Sequence, residues 1–235
     1  METTIRALDR SIDFLDYLAS RSGDVRPPEL VSALKLPSST ILRIAHTLET
    51  RGLVIKHPLT GGYQLGPQLL HYSRAYLNDI DYRHVSKEIM LDLRNSTKET
   101  VSLYIKKQDS RVCIEKIDGL EPLRSSIHIG DILPLVSGAA GKVFLAFLNQ
   151  KRVEVAHQVL ETIRRQGFST SHAEYQVGVS SVAAPIFDFH GNIIAALSVS
   201  GPSVRFQDEH LDATIQAAIK AAEKISYRMG YVKKT

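Results

Sequence analysis

Leu36-Pro37-Ser38-Ser39-Thr40-Ile41-Leu42-Arg43 is the stretch on which the fold turns. Proline interrupts whatever precedes it, because its ring removes an N–H and disfavours helix in the residue before. The hydroxyl run Ser38-Ser39-Thr40 then reads as N-cap chemistry, since a short side-chain oxygen can accept from the free N–H groups of a first turn. Ile41, Ile44, Ala45 and Leu48 give the following helix one apolar face through about Thr50. Ser38, Ser39, Thr40 and Arg43 fall in its first turn and a half, with most of their side chains available outward.

Towards the N-terminus, Ile5, Leu8, Ile12, Leu15 and Leu18 recur every three or four residues and predict a helix over 4–21 with that stripe inward. Ser22-Gly23-Asp24 ends it, and Pro27-Pro28-Glu29 starts a short second helix with Leu30 and Leu34 inward. In the other direction, Leu53–Lys56 and Tyr63–Gly66 read as short strands around His57-Pro58-Leu59-Thr60-Gly61-Gly62, whose Pro and Gly-Gly favour a hairpin. Helix, turn, helix and hairpin in this order predict a winged helix-turn-helix.

Charge supports that reading. Over residues 35–57, Lys35, Arg43, Arg51 and Lys56 stand against Glu49 alone, with His46 and His57 alongside. Such a cluster is a footprint for phosphate. Small hydroxyls let the backbone approach phosphates, and an arginine can fork onto guanine in the major groove. The candidate DNA contacts are therefore Ser38, Ser39, Thr40, Arg43, Arg51, Lys56 and His57. The plainer alternative, a small α+β module with a solvated basic face, does not account for element order, cap chemistry and charge together.

Beyond the wing, residues 67–79 keep a helical pattern and predict a linker helix, and a second helix spans about 82–97 with Val85, Ile89, Met90 and Leu93 inward. From residue 100 the period changes to two: Val101, Leu103 and Ile105 alternate with Ser102, Tyr104 and Lys106, as in a half-buried strand. Further strands are expected at 111–117, 125–129, 182–188 and 193–200, with helices over 142–148, 151–166 and 207–228. The result is an α+β chain: a DNA-binding domain over 1–66, a linker helix over 67–79, and a second domain over 80–235.

Composition excludes several other classes. The 235 residues are 43% hydrophobic and 23% charged, with a net charge of +4, as in an ordinary globular protein. Cys113 is the only cysteine, which rules out an intrachain disulfide and a cysteine-based zinc site. No long uncharged apolar stretch and no signal-peptide pattern occurs, so a soluble cytoplasmic protein without membrane partners is expected. The nine histidines are scattered, without metal-ligand spacing. Gly138-Ala139-Ala140-Gly141-Lys142-Val143 has too few residues between its glycines for a phosphate loop and lacks the Ser/Thr after lysine. No Gly-x-Ser-x-Gly elbow exists, so neither an enzyme nor a cofactor is expected.

Leu36–Arg43, Leu48-Glu49-Thr50-Arg51-Gly52-Leu53-Val54 and Tyr63-Gln64-Leu65-Gly66 together resemble the IclR family of bacterial regulators. That family has leucine, proline, a basic or small residue, Ser-Thr and arginine, then Leu-Glu-x-x-Gly and a wing ending Tyr-x-Leu-Gly. Ser38 departs from the lysine often found there. Further along, Gly167, Ser171, Glu174, Ser181, Val182, Ala183, Ile186, Phe187 and Asp188 match the family's signature, and Ala195–Pro202 follows it.

The resemblance implies a GAF-like C-terminal sheet with flanking helices, and a homodimer or dimer of dimers on a pseudo-palindromic double-stranded operator. Dimerisation through the linker helix and the first helix is part of the same expectation. It also implies a small-molecule effector, an organic acid, held by Ala139, Ala140, Ser171, Ser181, Ser198 and Ser200. Ser198 and Ser200 share one face of a strand. Hydroxyls converging with helix-terminal N–H groups can hold a carboxylate without a fixed positive charge. Ser171 and Ser181 replace the aspartate and cysteine of carboxylate-binding members, and the 148–167 segment is shorter than the family pattern, which predicts a more open pocket. The alternatives are a C-terminal domain serving only as a dimerisation platform, with its small residues there for packing, or less favourably a small-molecule enzyme.

Overall fold

The computed structural model describes residues 4–72, 82–148 and 155–233, in two compact units, Met1–Asp79 and Ile80–Thr235. In the first unit, α1 (Arg6–Ala19), α2 (Pro27–Leu34) and α3 (Ser38–Thr50) precede the hairpin of β1 (Val54–Lys56) and β2 (Tyr63–Leu65). Lys35, at φ +51°, closes α2 in the left-handed conformation. Pro37, not a hydroxyl residue, occupies the N-cap of α3, and no side chain caps the helix. The N–H groups of Thr40 and Ile41 donate to Pro37 O at 2.9 and 3.1 Å. The serines thus lie one step inside the helix rather than capping it, because the proline's fixed φ already supplies the extended cap geometry.

The α1 face also differs from expectation. Phe14 and Leu18 join Val25, Leu30, Ile41, Ala45, Leu48, Val54 and Tyr63 in the core. Ile5, Leu8 and Ile12 are 66, 57 and 55% exposed. The helix carries two apolar faces side by side, and the larger Phe14, edge-on to Tyr63 at 6.1 Å, takes the core. Val25 pairs with Tyr63 on the far side of β2, adding a short third rung to the wing. Residues 68–72 are helical; the rest of the expected 67–79 linker helix lies outside the described residues.

The second unit contains α4 (Tyr82–Thr97), β3 (Thr100–Lys107), β4 (Ser110–Ile117), β5 (Ile132–Pro134), α5 (Ala139–Phe147), α6 (His157–Gln166), β6 (Ser169–His172), β7 (Val179–Phe187), β8 (Ile193–Pro202) and α7 (Asp208–Arg228). The strands form one antiparallel sheet in the order β5-β4-β3-β8-β7-β6. Helices cover both faces. Val101, Leu103, Val182, Ala184, Leu197 and Val199 pack with α4 and α7, whereas Tyr104, Cys113, Ala183 and Ala196 pack with α5 and α6. The half-buried strand expected at β3 is therefore buried on both faces, Ser102 included. Its polar alternation marks a second covered face rather than a wet one.

Ser125–Ile129 forms no strand. The edge of β4 is taken by Ile132–Pro134, and pairing begins at Gly130 and Asp131 against Cys113. An Asp131 carboxylate that accepts from His128 N at 2.7 Å turns the chain just before that point. β6 was not expected, because Ser-Thr-Ser-His has no apolar alternation; its buried positions, 169 and 171, are both serine. Gly167, at φ +79°, ends α6 and admits the turn into it. α5 starts at Ala139, three residues before the expected Lys142, and the first part of the expected 151–166 helix lies outside the described residues.

Candidate functional site: the DNA-facing helix and the serine cavity

The outer face of α3 follows from its core face. With Ile41, Ala45 and Leu48 buried, Ser38, Ser39 and Arg43 point to solvent and Thr40 is half-buried. Leu42 and His46 are exposed on the same side; the inner stripe read in sequence leaves them outward, although only the polar start was singled out. The first turn holds no acidic residue and no capping side chain, so the partial positive charge of the helix start is left unneutralised, as phosphate requires.

Arg51, just past the end of α3, and Lys56, at the end of β1, are exposed, with Lys56 Nζ 5.8 Å from the Tyr63 ring centre. His57 is different. It is half-buried, and its Nδ1 accepts from Leu59 N and Thr60 N at 3.3 Å each. It builds the turn of the wing and has only Nε2 left to offer a partner. Thr60 donates to the Asp24 carboxylate, and this bond holds the Asp24 carboxyl below its ordinary pKa.

In the second unit the six expected effector positions converge. Ala139, Ala140, Ser171, Ser181, Ser198 and Ser200 all border one cavity, together with Tyr104, Arg111, Ile127, Gly138, Tyr175, Gln176 and Val179. Strand register brings the serines together: Ser171 lies opposite Ser181, and Ser181 opposite Ser200. Ser198, one pleat along β8, donates to Val182 O at 3.1 Å, while the buried Ser200 Oγ has no hydrogen-bond partner. Ala139 and Ala140 form the first turn of α5, whose preceding Gly138 N donates to Glu174 Oε2 at 3.1 Å. The other oxygen of Glu174 pairs with Lys142 Nζ.

Arg111 alters the expected chemistry. Extending from β4 and only 3% exposed, it donates from Nη1 to Ser137 O at 2.8 Å and to Pro134 O. Its guanidinium lies over the Tyr104 ring at 5.5 Å. Its Nε has no partner, and among the described residues no carboxylate lies within ion-pair distance. Burial pulls its pKa below the ordinary arginine value; arginine side chains stay charged at neutral pH in proteins. A pocket expected to lack a fixed positive charge thus holds one. The glycines compared above with a phosphate loop make room for it: a Cβ on Gly138 would lie 3.0 Å from Nη2, and one on Gly141 2.7 Å from Nη1.

The cavity is small, about 40 Å³, which is space for water-sized occupants. No described residue of the 148–167 segment borders it; Tyr175 and Gln176 are among the residues that line it.

Sequence models of two domains match the chain: the IclR helix-turn-helix domain over residues 7–58, and the bacterial transcriptional regulator IclR C-terminal domain over 74–158 and 153–227. The chain belongs to the IclR family. Among its relatives, the HTH-type transcriptional regulator KdgR of Escherichia coli K12 is 33% identical over 223 residues, covering 86% of this chain and 85% of KdgR. The transcriptional repressor IclR of the same organism is 27% identical, covering 96% and 90%. The crystal structure of Pseudomonas aeruginosa HmgR superposes with a TM-score of 0.87 at 26% identity, covering 98% and 100%. As an IclR-family member the protein is a DNA-binding transcriptional regulator with a C-terminal regulatory domain, and its relatives are regulators rather than enzymes. Among the described residues, no helix is long and apolar enough to cross a membrane, and no cluster of three or more metal-ligating side chains occurs.

Proposed function

We propose that this IclR-family regulator binds a pseudo-palindromic operator as a homodimer in the cytoplasm, and that a small organic acid in the serine cavity modulates that binding. The observation that carries the effector reading is the convergence of Ala139, Ala140, Ser171, Ser181, Ser198 and Ser200, drawn from α5, β6, β7 and β8, on one cavity. A helix start and aligned hydroxyls are suited to a carboxylate.

On the DNA side, Ser38, Ser39, Thr40 and Arg43 on α3 and Arg51 and Lys56 beyond it provide the contacts, with His57 shaping the wing. Replacing Arg43 by alanine is expected to weaken specific binding by about 1–3 kcal/mol, read by mobility shift on the DNA upstream of the protein's own gene. Unchanged affinity there would remove α3 as the recognition helix. The exposed Ile5, Leu8 and Ile12 stripe supports pairing through α1, with a dimer of dimers as the larger assembly.

One observation favours a second reading, a C-terminal domain that acts only as a platform: the 40 Å³ volume holds no metabolite without rearrangement. Thermal-shift measurements with small carboxylates separate the two. Stabilisation that disappears in Ser198→Ala and Ser200→Ala supports the effector site, stabilisation that survives both removes that site, and no stabilisation by any acid supports the platform.

A further inference from the structure

We propose that Arg111 is the charge anchor of this cavity, and that its ligand is a compact organic anion carrying hydroxyl or keto oxygens along its length. The proposal rests on the effector reading above and adds to it the residue that selects for charge.

A buried cation without a counter-ion is costly, and the cost is offset only by good partners. Arg111 is 3% exposed and holds two backbone carbonyls, yet its Nε is unpartnered. The nearby acid cannot serve it: Glu174 is already divided between Lys142 and the N–H of Gly138. The same cavity holds a second buried unpartnered group, the Ser200 hydroxyl. A guanidinium needing an acceptor and a hydroxyl needing a partner, lining one cavity together with a helix start, fit a carboxylate with oxygens on its neighbouring carbons.

The glycines carry the same message. Gly138 and Gly141 border the guanidinium closely enough that a side chain at either would meet it. The acceptors it now uses are Pro134, at the end of β5, and Ser137, in the turn that enters α5. Because only about 40 Å³ is free, a ligand enters by drawing Arg111 partly off those carbonyls, trading bonds to the turn for a forked bond to the anion.

The test uses the full-length protein and a panel of acids, glycolate, lactate, glycerate and gluconate, each beside its neutral amide, followed by calorimetry. Wild type is expected to prefer at least one acid over its amide by more than tenfold. Arg111→Gln should weaken that acid by about 10–100-fold and leave the amide little changed. Arg111→Lys, which keeps charge but loses the fork, should fall between.

Equal binding of acid and amide by wild type overturns the proposal, and needs no variant to fold. Acid binding that requires Ser198 and Ser200 but is indifferent to Arg111→Gln removes the anchor and leaves the effector site standing. No binding of any acid to wild type, or binding indifferent to both serine replacements, removes the effector site and the anchor together.

Discussion

At Gly138 and Gly141 a single methyl group decides whether Arg111 keeps its place. Gly138 has φ +76°, and Gly141 sits so close to the turn before α5 that a Cβ would lie 2.3 Å from Leu135 O. Alanine at 138 therefore meets the Arg111 guanidinium and a backbone conformation (ψ 156°) reserved for glycine, a strain of about 1–3 kcal/mol. Alanine at 141 forces the helix off the turn and is expected to cost at least as much, about 1–3 kcal/mol. Urea titrations should show the loss as a lower midpoint with an unchanged slope; a midpoint unmoved in Gly141→Ala would contradict the close packing described here. Asp24 offers a pH signature. Because the Thr60 hydroxyl depresses its pKa in the folded protein, the stability it contributes is present above the ordinary carboxylate pKa and lost as pH falls through the depressed value. Thr60→Val should raise the Asp24 pKa, measured by carboxyl-carbon NMR titration, and reduce the acid sensitivity of the wing; an unchanged pKa would mean that the hydroxyl does not set it.

Among the elements, those with strong local periodicity were readable and those fixed by partners were not. The inner stripe of α3 and the wing turn, with Pro58 and Gly61-Gly62, are each written within a short run of the chain. Three-residue β5 is not: Ser125, Ile127 and Ile129 alternate as a strand would, yet the position at the β4 edge belongs to Ile132–Pro134. β6 hides because its inward residues are hydroxyls that find their row only across the sheet. Arg111 is not legible for a related reason: beside Val112-Cys113-Ile114 it reads as an outward strand arginine, and the carbonyls and glycines that receive it are 23 to 30 residues away. Long-range pairing also ties β3 to β8. Glu99, 1% exposed, pairs with Arg205 in the turn after β8. Arg205→Met would strand that carboxylate and is expected to cost about 3 kcal/mol, the low end of such losses, because Arg205 itself is 30% exposed. Thermal unfolding that shows no loss would mean water already solvates Glu99.

For the whole molecule, the two units divide recognition and regulation between them. If α1 joins two copies, glutamate at Leu8 should shift the protein from dimer to monomer in sedimentation and weaken operator binding, while circular dichroism stays unchanged because Leu8 lies outside the core. A dimer that persists would place the interface elsewhere.

The alternation of β8 has a genetic consequence. Its even positions, Ala196, Ser198 and Ser200, look towards α5 and the cavity, and its odd positions, Leu197 and Val199, pack with α4 and α7. Saturation mutagenesis of this one strand with a reporter should therefore separate into two interleaved phenotypes. If the cavity holds the effector, alleles at 198 and 200 should be deaf to it but normal in its absence, and alleles at 197 and 199 should misregulate with or without it. A scan in which the two classes fail to interleave would mean that the strand does not keep its two faces apart.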